Sequence, residues 1–299
     1  MLMQTKIASP LSRKATLVGV TISSWTARKL DRRVTDKVNR EHNASKDAGR
    51  FNKLLIEAKR LEKINGIVSQ ARALHHGMTK PWCDEGLRIL PNALHMKFNT
   101  EFRVLKRAFE DAADEFCRDY PSFVDERKYA LGSLFDANDY PHPDQIRSKF
   151  KLDTRTFPVP EADDFRSDVL DQDTIADIKR ELAETSDQVL AGAMADTKDQ
   201  IVKVVGHMSE RLAAYKSGGK GEKAEGIFRD TLVENVRELA ELLPAFNFDN
   251  DPAFDQLVKR IRTELCVEDA KTLRQEATVR ETVKKSADEI LADVESLLG

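Results

Sequence analysis

Residues Thr174 to Lys216 read TIADIKRELAETSDQVLAGAMADTKDQIVKVVGHMSERLAAYK and contain no proline. An unbroken helix over this stretch rises about 64 Å, at roughly 1.5 Å per residue. Ile175, Ile178, Leu182 and Val189 set one apolar seam, and Ile201, Val205, Met208, Leu212 and Tyr215 set another. Between them Ala191–Lys198 carries Gly192 and, among large aliphatic side chains, only Met194, so the seam is predicted to change register or partner there. A helix too long for one compact core points to a mainly α fold, a helical bundle of long antiparallel, coiled-coil-like helices.

Ser217-Gly218-Gly219-Lys220-Gly221 reads as a turn that sends the chain back into a helix bearing Ile227, Phe228, Val236, Leu239 and Leu243, which makes an antiparallel hairpin. Pro244 to Pro252 ends that helix, and Phe254, Leu257, Ile261 and Leu265 begin the next. The last helix carries Leu273, Ala277, Val283, Ala287, Ile290, Val294 and Leu297. Val283, Ile290 and Leu297 stand seven residues apart, a heptad that predicts a helix seam through which the chain self-associates.

Toward the N-terminus the signals differ. Leu17 to Trp25 alternates apolar with small polar residues and is β-branched, which predicts a strand. Thr26 would then cap a basic helix to about Glu41, and Ser45 or Asp47 would start a second, to about His75, with Phe51, Leu54, Leu55, Ala58, Leu61, Ile64, Val68 and Ala71 on one stripe. Gly77 to Pro91 reads as a break. Phe98, Phe102, Leu105, Phe109, Ala112 and Phe116 form an aromatic helix seam expected to pack on that stripe. Prolines frame residues 120 to 160, where Thr154 to Val159 is a candidate second strand beside 17–25. The resulting division is a mixed, basic domain over 1–165 with a small β element and an acidic long-helix domain over 166–299.

Of the 299 residues 33% are charged, 40% hydrophobic and 7% aromatic, which excludes a membrane channel and a disulfide-stapled miniprotein. The absence of an 18-residue apolar run and of a secretory signal predicts a cytoplasmic protein with no membrane partner. Cys83, Cys117 and Cys266 have neither pairing nor metal spacing, as expected of reduced thiols. Charge is uneven: residues 1–80 hold 17 Lys and Arg against 6 Asp and Glu, a balance of +11, although the whole chain is −3. Arg28, Lys29, Arg32, Arg33, Lys37 and Arg40 fall on the first predicted helix, and Lys46, Arg50, Lys53, Lys59, Arg60 and Lys63 on the second. The first six are the candidate nucleic-acid contacts. The competing reading is a solvated face, or neutralisation by the acidic stretch 161–187.

Tests for chemistry are negative. The Gly-Gly-Lys-Gly string ends in Glu222 where a phosphate loop needs Ser or Thr. His75, His76 and Cys83 lack a fourth ligand at zinc spacing. Asp249-Asn250-Asp251 is followed by Pro252 and lacks a calcium loop's glycine and bidentate glutamate. Asp163, Asp164, Asp168, Asp171 and Asp173 could hold two metal ions for phosphodiester hydrolysis but read equally as an acidic, solvated helix entrance. There is no nucleophile elbow and no dinucleotide fingerprint, so no catalytic residue, metal or cofactor is expected.

Ile22-Ser23-Ser24-Trp25 with Arg28-Lys29-Leu30, Pro81-Trp82 with Gly86-Leu87-Arg88-Ile89-Leu90-Pro91, Phe116 with Tyr120, Leu131-Gly132, Tyr140-Pro141, Phe150, Pro158-Val159-Pro160 and Asp164-Phe165-Arg166 together resemble an uncharacterised family of tailed bacteriophages and integrative elements. Its members are often encoded near a MoxR-type AAA+ ATPase and recombination genes. The resemblance covers about residues 15–200. It implies a phage or mobile-element protein made in a bacterial host, and it carries over no active site. Three functions follow as expectations: first a non-enzymatic protein binding itself and a phage or host protein through long helices, second a nucleic-acid-binding accessory factor using the basic N-terminal helices, and last a metal-dependent nuclease.

Overall fold

The computed structural model describes residues 10–82, 86–217 and 225–297. In chain order the elements are α1 (Pro10–Lys14), β1 (Ala15–Ser23), β2 (Arg28–Leu30), α2 (Arg32–Glu41), β3 (Asn52–Leu54), α3 (Glu62–Met78), β4 (Lys80–Pro81), β5 (Leu87–Pro91), α4 (His95–Leu131), α5 (Pro143–Ile146), β6 (Lys151–Pro158), α6 (Gln172–Ala214), α7 (Thr231–Leu242), α8 (Pro252–Arg260), α9 (Ala270–Gln275) and α10 (Ala277–Leu297). The fold is mainly α. Its strands form a four-stranded sheet ordered β4-β5-β1-β6 and a separate β2-β3 ribbon.

The chain divides into two compact units, but not at residue 165. One comprises Gly19–Gly77 with Lys97–Arg155; the other comprises the residues up to Val18, Met78–Met96 and those from Thr156 on. Sequence reading assigned 77–91 to a break between helices. In the structure it supplies β4 and β5, paired antiparallel with Lys80 opposite Ile89, and this insertion joins the C-terminal unit. Short strands take their stability from partners distant in sequence, which a local pattern does not show.

In the C-terminal unit α6 is a single helix of 43 residues, started by the Asp171 carboxylate accepting from the Thr174 amide. It passes through Gly192 without a break. Its later part buries Ile201, Val205, Met208 and Leu212 in one core with Val236, Leu239 and Leu243 of the returning segment and Phe254, Leu257 and Val258 of α8. The return is closed by mutual backbone bonds of 3.1 Å between Lys216 and Glu225. Gly226 follows at φ +65°, where a Cβ would lie 2.2 Å from the Ala214 carbonyl oxygen; only glycine fits. The turn residues 218–224 themselves lie outside the described residues. Beyond α8 the helix widens to a π turn over Ile261–Leu265. The last helix is shorter than its apolar pattern suggested, because the chain breaks at Glu276 and leaves Leu273 in α9.

Val283 and Ile290 are 5% and 0% exposed within this same core. At these two positions the heptad packs inside the chain, against α6 and α8. Leu297 closes α10, and its side chain lies outside the described residues. Buried Lys80 anchors β4 to the long helix. Its Nζ donates to Asp196 (2.9 Å) and Gln200 (2.8 Å) and sits 4.4 Å from the Phe246 ring centroid.

In the other unit the aromatic seam on α4 is buried as expected at Phe98, Phe102, Phe109, Ala112 and Phe116. Phe116 meets Trp25, Tyr120, Phe123 and Phe150 at centroid distances of 5.4–6.3 Å. The helix continues past Tyr120 with Pro121 inside it. Two expectations fail nearby. Thr26 does not cap a helix: Ala27 at φ +51° turns the chain into β2, and Asp31 caps α2 through the Val34 amide at 3.1 Å. Residues 47–57 are not helical, because Asn52–Leu54 pairs with Leu30–Arg28 as a ribbon; a 3-10 turn over Ala58–Leu61 then leads into α3 at Glu62.

Candidate functional site

The ribbon fixes the chemistry of the basic unit. Its register sets Arg28 opposite Leu54 and Lys29 opposite Lys53, and neighbouring residues of a strand point to opposite faces. Arg28 and Leu54 accordingly line one cleft, while Lys29 and Lys53 line another of about 970 Å³ together with Asp31, Arg32, Arg33 and the 133–139 turns.

Directly opposed like charges destabilise a strand pair. Here Asp139 relieves them. Its Oδ1 lies 2.8 Å from the Lys29 ammonium, and its Oδ2 pairs with that of Lys53. Lys53 is buried and also meets the Asp31 carboxylate at 3.2 Å and donates to the Leu134 carbonyl at 2.9 Å. Burial pulls the Lys53 ammonium down, but the hydrogen bonds and charges of Asp139 and Asp31 outweigh it and hold its pKa above the ordinary value. Burial likewise pushes the Asp139 carboxyl up; hydrogen bonds from Lys29 and Lys53 and their charges bring it below its usual range. Asp31 is lowered first by the amide of Val34.

This accounting separates the six candidate residues. Lys29 is taken by Asp139. Lys37 lies 3.8 Å from Glu41 one turn on, and Arg40 donates to the Asp36 carbonyl of its own helix. The side chains of Arg28, Arg32 and Arg33 are exposed and make no salt bridge or hydrogen bond among the described residues, although the charge of Arg33 helps to lower the Asp31 carboxyl. Asp139 neutralises Lys29, Asp31 and Asp139 together neutralise Lys53, and Glu41 stands beside Lys37. Arg28 and Lys29 stand on a strand rather than on the predicted basic helix. Arg32 and Arg33 open α2, the end where the helix dipole disfavours cations and attracts anions.

The other candidates hold structural posts. Asp171 and Asp251 cap α6 and α8, and Asn250 Oδ1 accepts from Lys14. His75 and His76 rings stand 5.8 Å apart, whereas Cys83 lies outside the described residues, as does the Gly-Gly-Lys-Gly string. Among the described residues no three His, Cys, Asp or Glu side chains are grouped to hold a metal ion. Burial raises the thiol pKa of both Cys117 and Cys266. No helix among the described residues is long and apolar enough to cross a membrane.

Asp139 was not singled out from sequence, and its role depends on a fold-back over more than 80 positions. Asp31 carried a local signal, since it is the one carboxylate within Arg28–Arg33. No family model, curated protein or solved structure matches this chain.

Proposed function

We propose that the chain is a non-enzymatic nucleic-acid-binding protein that grips a phosphate backbone with Arg28, Arg32 and Arg33. The observation that carries this reading is their selective freedom. In a ribbon and helix where Lys29, Lys53 and Lys37 are matched to carboxylates, the guanidiniums of Arg28, Arg32 and Arg33 are left exposed with no salt bridge or hydrogen bond among the described residues. The unit around them holds 24 Lys and Arg against 18 Asp and Glu, whereas the remainder of the chain is net acidic. A polyanion is favoured at this unit and repelled elsewhere. The C-terminal helices act as scaffold in this reading. The phage or mobile-element context implied by the family resemblance, and work beside recombination or AAA+ machinery in the host cytoplasm, belong to the same proposal.

Gel shifts with single- and double-stranded DNA and RNA test it. Three phosphate contacts predict that affinity falls roughly 40-fold for duplex, and about 20-fold for single strands, between 50 and 200 mM salt. Arg32→Glu with Arg33→Glu should abolish the shift while leaving the circular dichroism unchanged. An absence of any shift at micromolar protein and low salt refutes the proposal.

A further inference from the structure

On the opposite face of the β2-β3 ribbon lies a cleft of about 470 Å³ walled by Trp25, Ile22, Leu54 and Ile56. Its volume falls within the ~300–1,000 Å³ of small-molecule sites. Trp25 is half-buried and held by edge contacts to Phe116 at 6.3 Å and Tyr120 at 5.7 Å. One side of the cleft is Leu61 followed, on α3, by Asn65, Val68 and Arg72 at steps of four, three and four residues. Arg28 closes the other side. Neither Arg28, Arg72 nor Asn65 has a side-chain partner among the described residues. In the wall the Ser24 hydroxyl oxygen is buried and makes no hydrogen bond.

We infer that this cleft takes one nucleobase of a single-stranded nucleic acid, placed against the Trp25 wall with its flanking phosphates on Arg28 and Arg72. The inference rests on the nucleic-acid reading above and specifies its substrate. Three features select this occupant. The aromatic and aliphatic walls suit a flat apolar ring. The Asn65 amide offers hydrogen bonds to a base edge, and two free guanidiniums suit the phosphates on either side. A purely apolar ligand would leave those three polar functions unanswered. A duplex keeps its bases stacked and cannot fill a concave site unless a base is flipped out.

The experiment uses the full chain with Trp82→Phe, leaving Trp25 as its remaining tryptophan, and follows fluorescence at low salt. A thymidine oligomer of about 15 nucleotides, near the upper range of single-strand sites, should quench Trp25 saturably, and a duplex of equal length should not. Arg72→Ala in the otherwise unaltered chain, read by anisotropy of a labelled oligomer, should weaken single-strand binding roughly tenfold, as expected for loss of a charged hydrogen bond. Single-strand binding without Trp25 quenching, together with an unchanged Arg72→Ala affinity, overturns the inference and leaves the nucleic-acid reading standing. Equal quenching by polyglutamate or by thymidine monophosphate also overturns it, in favour of an acidic peptide or a free nucleotide. No binding of any nucleic acid removes both.

Discussion

Asp139 holds two lysines that strand pairing sets side by side, and removing its charge tests how much of the basic unit depends on that clamp. In Asp139→Asn the buried Lys53 keeps only Asp31 and the Leu134 carbonyl. Breaking a buried pair on one side costs about 3–5 kcal/mol; the surviving contacts place this case near 3 kcal/mol, measurable by urea unfolding. The pH profile follows from the same groups. Asp31 and Asp139 are lowered from ordinary values near 3.8, so their stabilisation is present above that pH and is lost as pH falls through the folded values. Lys53 is raised above its ordinary 10.5; its contribution is full below that value and is lost as pH rises through the folded pKa. Lys80 runs the other way. Burial lowers its pKa against the pull of Asp196, so the C-terminal unit gains stability as pH rises from the folded Lys80 value toward 10.5. Melting temperatures of wild type and Lys80→Met across alkaline pH should differ by this gain.

Among the elements, α6 and α10 show what a helix asks of its residues. Gly192 is exposed in the middle of α6, and a Cβ there would meet nothing within 4 Å. Gly192→Ala should therefore stabilise the chain by about 0.5–1 kcal/mol, by restricting the unfolded state and improving helix propensity. Gly226→Ala should do the reverse, since the added carbon meets the Ala214 carbonyl; a lowered thermal midpoint would show it. In α10, Ile290→Asp puts a carboxylate where exposure is 0%. It should cost several kcal/mol and unfold the C-terminal helices. Light scattering combined with circular dichroism discriminates this from an interface residue, which on substitution would lower assembly mass while helicity persisted.

For the molecule as a whole, the discontinuous division predicts that cutting at 165 yields no independent N-terminal domain. A 1–165 fragment carries Met78–Met96 without the helices that cover it, leaving Lys80 without Asp196, Gln200 and Phe246. Such a fragment should bind hydrophobic dye and lack a cooperative melt. A cooperative transition in it would refute the observed partition.

Much of the helical architecture was legible because helix signals are local. The missing proline and the 3–4 spacing of Ile201, Val205, Met208 and Leu212 fix α6 whatever it packs on, and the strand at 17–25 appears two residues displaced as Ala15–Ser23. The phenylalanine seam of α4 was equally plain. What sequence could not supply was partnership. Whether Val283 and Ile290 face a second chain or their own depends on where α6 and α8 lie, and the heptad reads identically in both cases. Asn52–Leu54 fits a helical stripe until Arg28–Leu30 offers hydrogen bonds across the ribbon. The candidate site was half visible: all six cations stand in the sequence, but charge alone does not separate Lys29 from Arg28. The one-residue alternation of β2 sends Lys29 toward Asp139 and Arg28 into the Trp25 cleft. The sequence by itself determined which segments coil and how much positive charge the N-terminal part carries, because both depend on near neighbours. Only the tertiary structure decided which charges stay free, because ion pairing is set by contacts such as Lys53 with Asp139 that join residues distant along the chain.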